Sequence, residues 1–391
     1  MTTEHPFDPT AGEFNGLRQL VHTLPSRWYF DEAQYERERQ EIWFRQWVYL
    51  CRVDTLPDVR SYRTFHLLGQ PVLLVRDEAG EIRAFYNACR HRGSALCREP
   101  EGRFGPGGIT CPYHAWTYRL NGQLARIPSA GRPHHVDVDG TQLHSIAVQI
   151  WRGFVYVNLS GDAATLADNF NANLGLFDHW PLEDLVVGHQ LTKRIRCNWK
   201  VFWENYNECL HCPGVHPGLI DAVPIYRRGI MEQRDDPNWT SMATQDDPLY
   251  KGGMKRGAVT WTVDGQSLGH EFPDLTDAER ALGYQYMTSL PSQYLVLHVD
   301  HVRSSRILAL GPEETELHIE WLFPKETLAD PSVDIMNACN FSATVMHEDG
   351  EVCELAQQGM HAAPHAHGLL MPEEYDVWRF QEWVRQSLAV R

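Results

Sequence analysis

The chain has 391 residues, 43% of them hydrophobic, which is enough for two or three domains with sizeable cores. Its 51 acidic against 35 basic side chains leave a formal net charge of -16, which repels a phosphate backbone and an anionic bilayer alike, so neither nucleic acid nor membrane is an expected partner. No window approaches 18 consecutive apolar residues, and the N-terminal MTTEHPFDPT has neither a basic leader nor an apolar stretch, so the protein is expected in the cytoplasm.

In chain order, the first element is a helical segment from Asp31 to Trp47, where Tyr35, Ile42, Trp43 and Trp47 recur at helix-like spacing and predict packing on a later domain. From Cys51 to Leu159 the texture changes to short alternating runs. PVLLVRD, EIRAFYN, ITCPYHAWTY and GFVYVNLS read as strands, with DEAG and LNGQ as hairpin turns, so a small antiparallel β domain is predicted. A helix near Trp199 to His211 follows, then strands QYLVLHVDHV and ELHIEWLF, then a helical stretch from Val333 to Met360. That order predicts an α+β domain, helices on an antiparallel sheet. The expected division is an N-terminal helical segment (1–47), a β domain (48–160) and an α+β domain (161–391). The nine cysteines are an odd number without a framework and read as thiols and metal ligands rather than disulfides.

Two short ligand pairs stand in the β domain, Cys89-Arg90-His91 and Cys111-Pro112-Tyr113-His114, on either side of a Gly/Pro-rich tip, GRFGPGG. Two thiolates and two imidazoles can hold a [2Fe-2S] cluster with sulfur on one iron and nitrogen on the other. Zinc takes the same donors, although zinc fingers commonly pair Cys with Cys and His with His. Trp116 and Tyr118 are expected around the ligands, as cluster shielding or as ordinary strand aromatics.

Further on, NWKVFWENYNECLH read as one helix places Phe202, Tyr206 and Cys209 on one face and Glu204, Glu208 and His211 on another. A polar stripe of this kind is ordinarily a solvated face. Here Pro213-Gly214 is expected to end the helix after His211, and His216-Pro217 follows, so two imidazoles meet around a bend, two-thirds of a facial triad for non-haem Fe(II). The third ligand is sought among distant carboxylates. Asp349 falls in helical register with Phe341, Val345, Val352 and Ala356, and a lone carboxylate on a buried face is costly unless paired or metal-bound. Asp330, Asp334 and Glu348 are lesser candidates. The Cys209/Cys212 C-x-x-C straddles the expected helix end without thioredoxin-like surroundings and is set aside as a redox or zinc motif. Tyr226, Trp239, Trp261, Tyr284, Tyr286 and Tyr294 lie between His216 and Asp349 and are expected to line a pocket, where a methylated ammonium or an aromatic substrate could sit over the rings.

IWFRQWVYLCRV, NACRHRGSAL with CPYHAWTY, NWKVFWENYNECLHCPGVHP and HEDGEVCELAQQGM together resemble the α subunits of Rieske non-haem iron oxygenases, the ring-hydroxylating oxygenase family, over nearly the whole chain. The resemblance implies a Rieske β domain followed by a START-like helix-grip domain. It implies Cys89, His91, Cys111 and His114 as cluster ligands, His211, His216 and Asp349 as ligands of a mononuclear Fe(II), and Glu208 as the carboxylate bridging the two centres of neighbouring subunits in a homotrimer. Glu rather than Asp at 208 is similar to the branch containing glycine betaine, choline and carnitine monooxygenases and stachydrine demethylase. Leu210, where that branch usually has Tyr, and Arg60, where a Gly-containing turn is usual, depart from it. Without a G-x-G-x-x-G or flavin signature, electrons from NAD(P)H are expected through a separate reductase, with or without a ferredoxin. The expected activity is O2-dependent hydroxylation or oxidative demethylation of a quaternary or N-methylated amine. The alternatives are a hydroxylase or O-demethylase of an aromatic acid or ether and, more distantly, a non-catalytic Rieske electron-transfer protein.

Overall fold

Short β-branched and aromatic runs separated by glycine turns dominate the first half of the chain, and in the computed structural model they form antiparallel sheet throughout. The structure describes residues 14–128, 140–161, 165–170 and 174–389, and the N-terminal MTTEHPFDPT lies outside them. Contacts divide the chain into two units, one of Trp43–Asn169 with Leu290–Ser292, the other of Met1–Ile42, Phe170–Ser289 and Gln293–Arg391.

The first unit carries a seven-stranded sheet in the order Val48–Arg52, Phe154–Asn158, Ser145–Trp151, Ile82–Tyr86, Gln70–Arg76, Ser61–Leu67, Glu101–Arg103. Both expected hairpin turns are present. At DEAG, Gly80 N–H donates to Asp77 O at 3.0 Å, and at LNGQ Gly122 N–H donates to Arg119 O at 2.9 Å. Arg60 has φ 75°, left-handed backbone that favours glycine, so this chain makes without glycine a turn that the resemblance furnishes with one. The run ITCPYHAWTY is not one strand: Ile109–Thr110 and Thr117–Tyr118 pair across the loop that bears the ligands, with Leu124–Arg126 as third strand. Beneath lies a core of Leu73, Val75, Phe85, Leu96, Ile109, Tyr118 and Leu120.

The second unit is built on a five-stranded antiparallel sheet in the order Val186–Ile195, Glu314–Phe323, Val302–Gly311, Gln293–His298, Tyr284–Ser289. QYLVLHVDHV turns within itself, His298 N–H donating to His301 O at 2.9 Å. The helix Met336–Met360 lies against this sheet, its buried line formed by Ala338, Ser342, Val345, Met346, Gly350, Cys353 and Gln357. Trp321 Nε1 donates to Ser342 Oγ at 2.8 Å, and Tyr294 Oη approaches Met346 Sδ at 3.1 Å. This long helix on a sheet is the expected α+β catalytic architecture.

Three sequence expectations are corrected here. The Asp31–Trp47 helix is a shorter α-helix, Glu32–Glu38, capped by Asp31, which runs into a wider turn at Arg39–Trp43 that buries Ile42 and Trp43. The helix at Trp199 ends at Tyr206, where Asn207 N–H closes the last turn onto Trp203 O, so Glu204 and His211 share no helical face. Pro213 then starts a second short helix, Cys212–Val215, instead of ending the first, because proline suits a first helical turn whose N–H has no partner. A further helix, Tyr375–Ala389, closes the unit. Among the described residues no helix is long and apolar enough to cross a membrane.

Packing of the first helix of this unit rests on an ion pair removed from water. Lys200 Nζ lies 2.8 Å from both Glu38 carboxylate oxygens, and both side chains are 0% exposed. Trp199 Nε1 and Gln34 Nε2 also donate to Glu38, at 2.8 and 2.9 Å, and Lys200 donates to Trp28 O at 3.0 Å. Every charge-bearing atom is therefore satisfied, which burial demands.

Candidate metal centres and substrate pocket

In the first unit the same turn is built twice. Cys89 N–H donates to Ser94 O at 2.8 Å and Gly93 N–H returns to Cys89 O at 2.9 Å, while Cys111 N–H donates to Trp116 O at 2.8 Å and Ala115 N–H returns to Cys111 O at 3.0 Å. Each turn needs left-handed backbone at its fourth step, met by Gly93 (φ 73°) and, at some cost, by Ala115 (φ 56°). Asn87 braces the first turn, its Oδ1 accepting from Leu96 and Cys97 N–H at 3.0 Å each. Two thiols result on the inside and two imidazoles on the outside. Cys89 and Cys111 are buried, His91 and His114 are exposed, and the imidazole centroids are 4.7 Å apart. Trp116 stacks on His91 at 4.9 Å, and Tyr118 Oη reaches Cys89 Sγ at 3.3 Å. Burial pushes the Cys89 thiol up; at Cys111 the effect of burial is outweighed by backbone N–H groups of Tyr113 and His114, and the thiol is lowered. A cluster with sulfur on an inner iron and nitrogen on an outer one fits this donor arrangement.

In the second unit, His211 N-caps the Cys212–Val215 helix, His216 closes it, and Asp349 comes from the long helix. The structure brings all three together. Asp349 Oδ1 lies 2.9 Å from His216 Nε2 and 3.4 Å from His211 Nε2, and the two Nε2 atoms are 3.1 Å apart. Each imidazole has its other nitrogen on an outer carboxylate, His211 Nδ1 on Glu208 Oε1 at 2.5 Å and His216 Nδ1 on Glu348 Oε2 at 2.7 Å. Burial alone would lower both histidines. Hydrogen bonds to Asp349 and Glu208 overcome it and raise His211 to about 9; those to Asp349 and Glu348 raise His216. Burial would lift Asp349, but its two histidine partners hold it down at about 2. Two inward nitrogens, an ionised carboxylate between them and a carboxylate behind each ring are the donor types that a two-histidine, one-carboxylate iron site takes.

The Cys212 sulfur beside this set is not available to it as a thiolate. Cys212 Sγ is 3.9 Å from His211 Nε2 but is joined to Cys209 in a disulfide, which corrects the reading of every cysteine as a thiol or a metal ligand. Cys212 N–H donating to Cys209 O at 3.0 Å forms the turn that brings the pair together. Asp330 and Asp334 are not in this group, and Glu348 enters it behind His216. Glu204 faces away, accepting from Tyr29 Oη at 2.5 Å and Gln381 Nε2 at 2.9 Å, with burial pushing it up to about 7.

A pocket opens beside the triad. Tyr226, Trp261, Tyr286 and Tyr294 line it as expected, joined by Phe202 and Tyr206, whereas Tyr284 stands behind, 5.5 Å from the Trp261 ring, and Trp239 is not part of the lining. Tyr226 and Tyr286 hydroxyls lie 2.7 Å apart. Sequence reasoning missed Asn205, whose Nδ2 is 3.3 Å from His211 Nε2, and Arg303, which lines the same pocket from the central strand. A charge at the second position of the strand run VRSSRILALG was the signal for Arg303; nothing marked Asn205.

Two family models match the chain, the Rieske [2Fe-2S] domain over residues 46–149 and the catalytic domain of the ring-hydroxylating α subunit over residues 182–389. A cluster-binding β domain and a catalytic helix-on-sheet domain in one chain define a Rieske-type oxygenase subunit. The chain belongs to the ring-hydroxylating α-subunit family. It is 28% identical to the glycine betaine monooxygenase oxygenase subunit of Chromohalobacter salexigens, over 96% of this chain and 87% of that one. It is 34% identical to the carnitine monooxygenase oxygenase subunit of Escherichia coli, over 54% of this chain and 56% of that one. A quaternary ammonium Rieske monooxygenase solved with L-carnitine shares the fold with TM-score 0.70 at 21% identity, covering 94% of this chain and 96% of that one.

Proposed function

We propose that this protein is the terminal oxygenase of a system that hydroxylates or oxidatively demethylates a small quaternary or N-methylated amine, with O2 and with electrons delivered from NAD(P)H by a separate reductase. The convergence of His211, His216 and Asp349 at one end of an aromatic pocket carries the reading. Cys89, His91, Cys111 and His114 would hold the cluster, and His211, His216 and Asp349 a mononuclear iron. When bound, the iron supplies O2 activation and the cluster supplies electrons.

The chain's own residues set the conditions for that chemistry. Glu208 and Glu348 hold Nδ1 of His211 and His216, so the two Nε2 atoms beside Asp349 are the nitrogens that would ligate the iron. Glu208 also accepts from the backbone N–H of Leu210, which ties the carboxylate to the chain at His211. Buried Phe202, Tyr226, Trp261 and Tyr294 exclude water and offer ring faces on which a methylated ammonium is held with about 2 kcal/mol or more. Glycine betaine and carnitine monooxygenases among the relatives support a quaternary ammonium substrate. Family resemblance supports a homotrimer, in which Glu208 links His211 to a neighbour's cluster.

A panel of glycine betaine, stachydrine and carnitine beside benzoate and vanillate, given to the holoenzyme with a reductase, tests this reading. Product or formaldehyde formed in step with NAD(P)H and O2 consumption is expected for the methylated amines. Coupled turnover confined to the aromatics would instead establish the aromatic-acid or ether activity.

A further inference from the structure

An arginine near the start of a central strand, inside a pocket, needs a counter-charge, because burying a guanidinium without a partner is costly. Arg303 stands on Val302–Gly311, the central strand of the five-stranded sheet, opposite Val296 on one side and Trp321 on the other. It is 4% exposed and lines the pocket that also holds His211, His216 and Asp349. Its Nε and Nη1 are buried and make no hydrogen bond, and among the described residues no carboxylate forms an ion pair with it. Its nearest company is aromatic, with Cζ 5.8 Å from the Trp261 ring and 5.8 Å from the Tyr294 ring. Trp261 lines the same pocket, and its Nε1 is another buried donor without an acceptor. Compare Lys200, a fully buried cation of the same unit, whose every donor is matched. The fold satisfies Lys200 and leaves Arg303 unpaired, facing the pocket.

We propose that Arg303 anchors a carboxylate of the substrate, so that the pocket takes a zwitterionic N-methylated amino acid, its carboxylate on the guanidinium and its methylated nitrogen over the tyrosine and tryptophan rings. This rests on the reading of the pocket as the substrate site and narrows it. A methylated cation without a carboxylate would meet an unpaired like charge in a desolvated space and be repelled. A carboxylate instead cancels the charge and fills the guanidinium's fork of donors.

Binding to the iron- and cluster-loaded protein under anaerobic conditions tests the anchor without a reductase. Calorimetry with glycine betaine, carnitine, choline and benzoate is compared for wild type, Arg303→Gln and Arg303→Lys, with the ligand-free melting temperature of each. Expected is binding of glycine betaine or carnitine at least about 10-fold tighter than choline, lost about 100-fold in Arg303→Gln and part-way in Arg303→Lys, with choline bound at least as tightly in Arg303→Gln as in wild type. Ligand-free Arg303→Gln should melt no lower than wild type, since it sheds an unpaired buried charge; a structural arginine would give a drop. Wild-type preference for choline, or equal loss of choline and the zwitterions in Arg303→Gln, overturns the anchor and leaves the amine reading standing. Arg303-dependent binding of benzoate with none of either zwitterion upholds the anchor and refutes the amine reading.

Discussion

Replacing Lys200 by Met should destabilise the catalytic unit far more than its single charge suggests. The lost ammonium now satisfies both Glu38 oxygens at 2.8 Å, and Glu38 is 0% exposed, so the carboxylate keeps only the Trp199 and Gln34 donors and no counter-charge. Breaking a buried pair at one end costs about 3–5 kcal/mol, most of it the stranded charge rather than the lost bond. Spread over a unit of this size, that lowers the melting temperature by roughly 10 °C. Glu38→Gln/Lys200→Met removes both charges and keeps an acceptor for Trp199 Nε1, so it should recover to within about 2 kcal/mol of wild type. Urea unfolding of the holo-protein followed by tryptophan fluorescence reads the three variants. A Lys200→Met loss below about 1 kcal/mol, or a double variant no better than the single, refutes the reasoning.

Glu204 predicts a pH dependence of stability. Burial raises its carboxyl from 4.5 to about 7, so its contribution is complete below pH 4.5 and is lost as pH rises through 7; Glu204→Gln should remove a slope amounting to about 3 kcal/mol across that window in pH-dependent urea melts. Iron analysis should give about three irons per chain, falling to about two in His211→Ala with the visible cluster spectrum kept; unchanged iron in that variant would falsify the two-centre reading. Glu208→Gln should retain both metals and lose about 10- to 100-fold in product per NAD(P)H, the scale of one charged hydrogen bond of about 1.5–3 kcal/mol, and normal coupling would remove Glu208 from the mechanism. Ala115→Gly should keep the cluster, whereas Ala115→Val, which puts a branched side chain at φ 56°, should lose it, with the visible spectrum as readout.

Much of the site was legible because its chemistry dictates residue type. Cys-x-His beside Cys-x-x-His has few physical uses, and Asp349 was visible as a carboxylate in register with apolar neighbours. The helix around it runs Met336–Met360, close to its expected span, although its buried line passes through Ser342, Met346, Gly350 and Cys353 rather than Val352 and Ala356. What escaped was set by tertiary partners. Periodicity carried the Trp199 helix on to His211 because Glu204, Glu208 and His211 fit a stripe, yet Glu204 bonds Tyr29 and Gln381 while Glu208 belongs to a turn. The Cys209–Cys212 bond was hidden for the same reason, since it depends on a turn where a helix was expected. Strands such as Val186–Ile195, mixed in polarity along their length, gave no alternation to read. Arg303 could be read as one more surface cation until its surroundings were known.

Both edges of the His216 ring are gripped from one helix, Asp349 on Nε2 and Glu348 on Nδ1, while Ser342, two turns earlier, is pinned to Trp321. Adjacent helical residues diverge by about 100°, so the two carboxylates reach opposite sides of the imidazole only in one rotational setting. Inserting or deleting a single residue between Ser342 and Glu348 would turn both away together. Substitution is under no such restriction, and Val345 and Met346 line the pocket within that same stretch. Over evolutionary time the pocket can therefore change shape by exchanging side chains, while the length of this segment stays fixed.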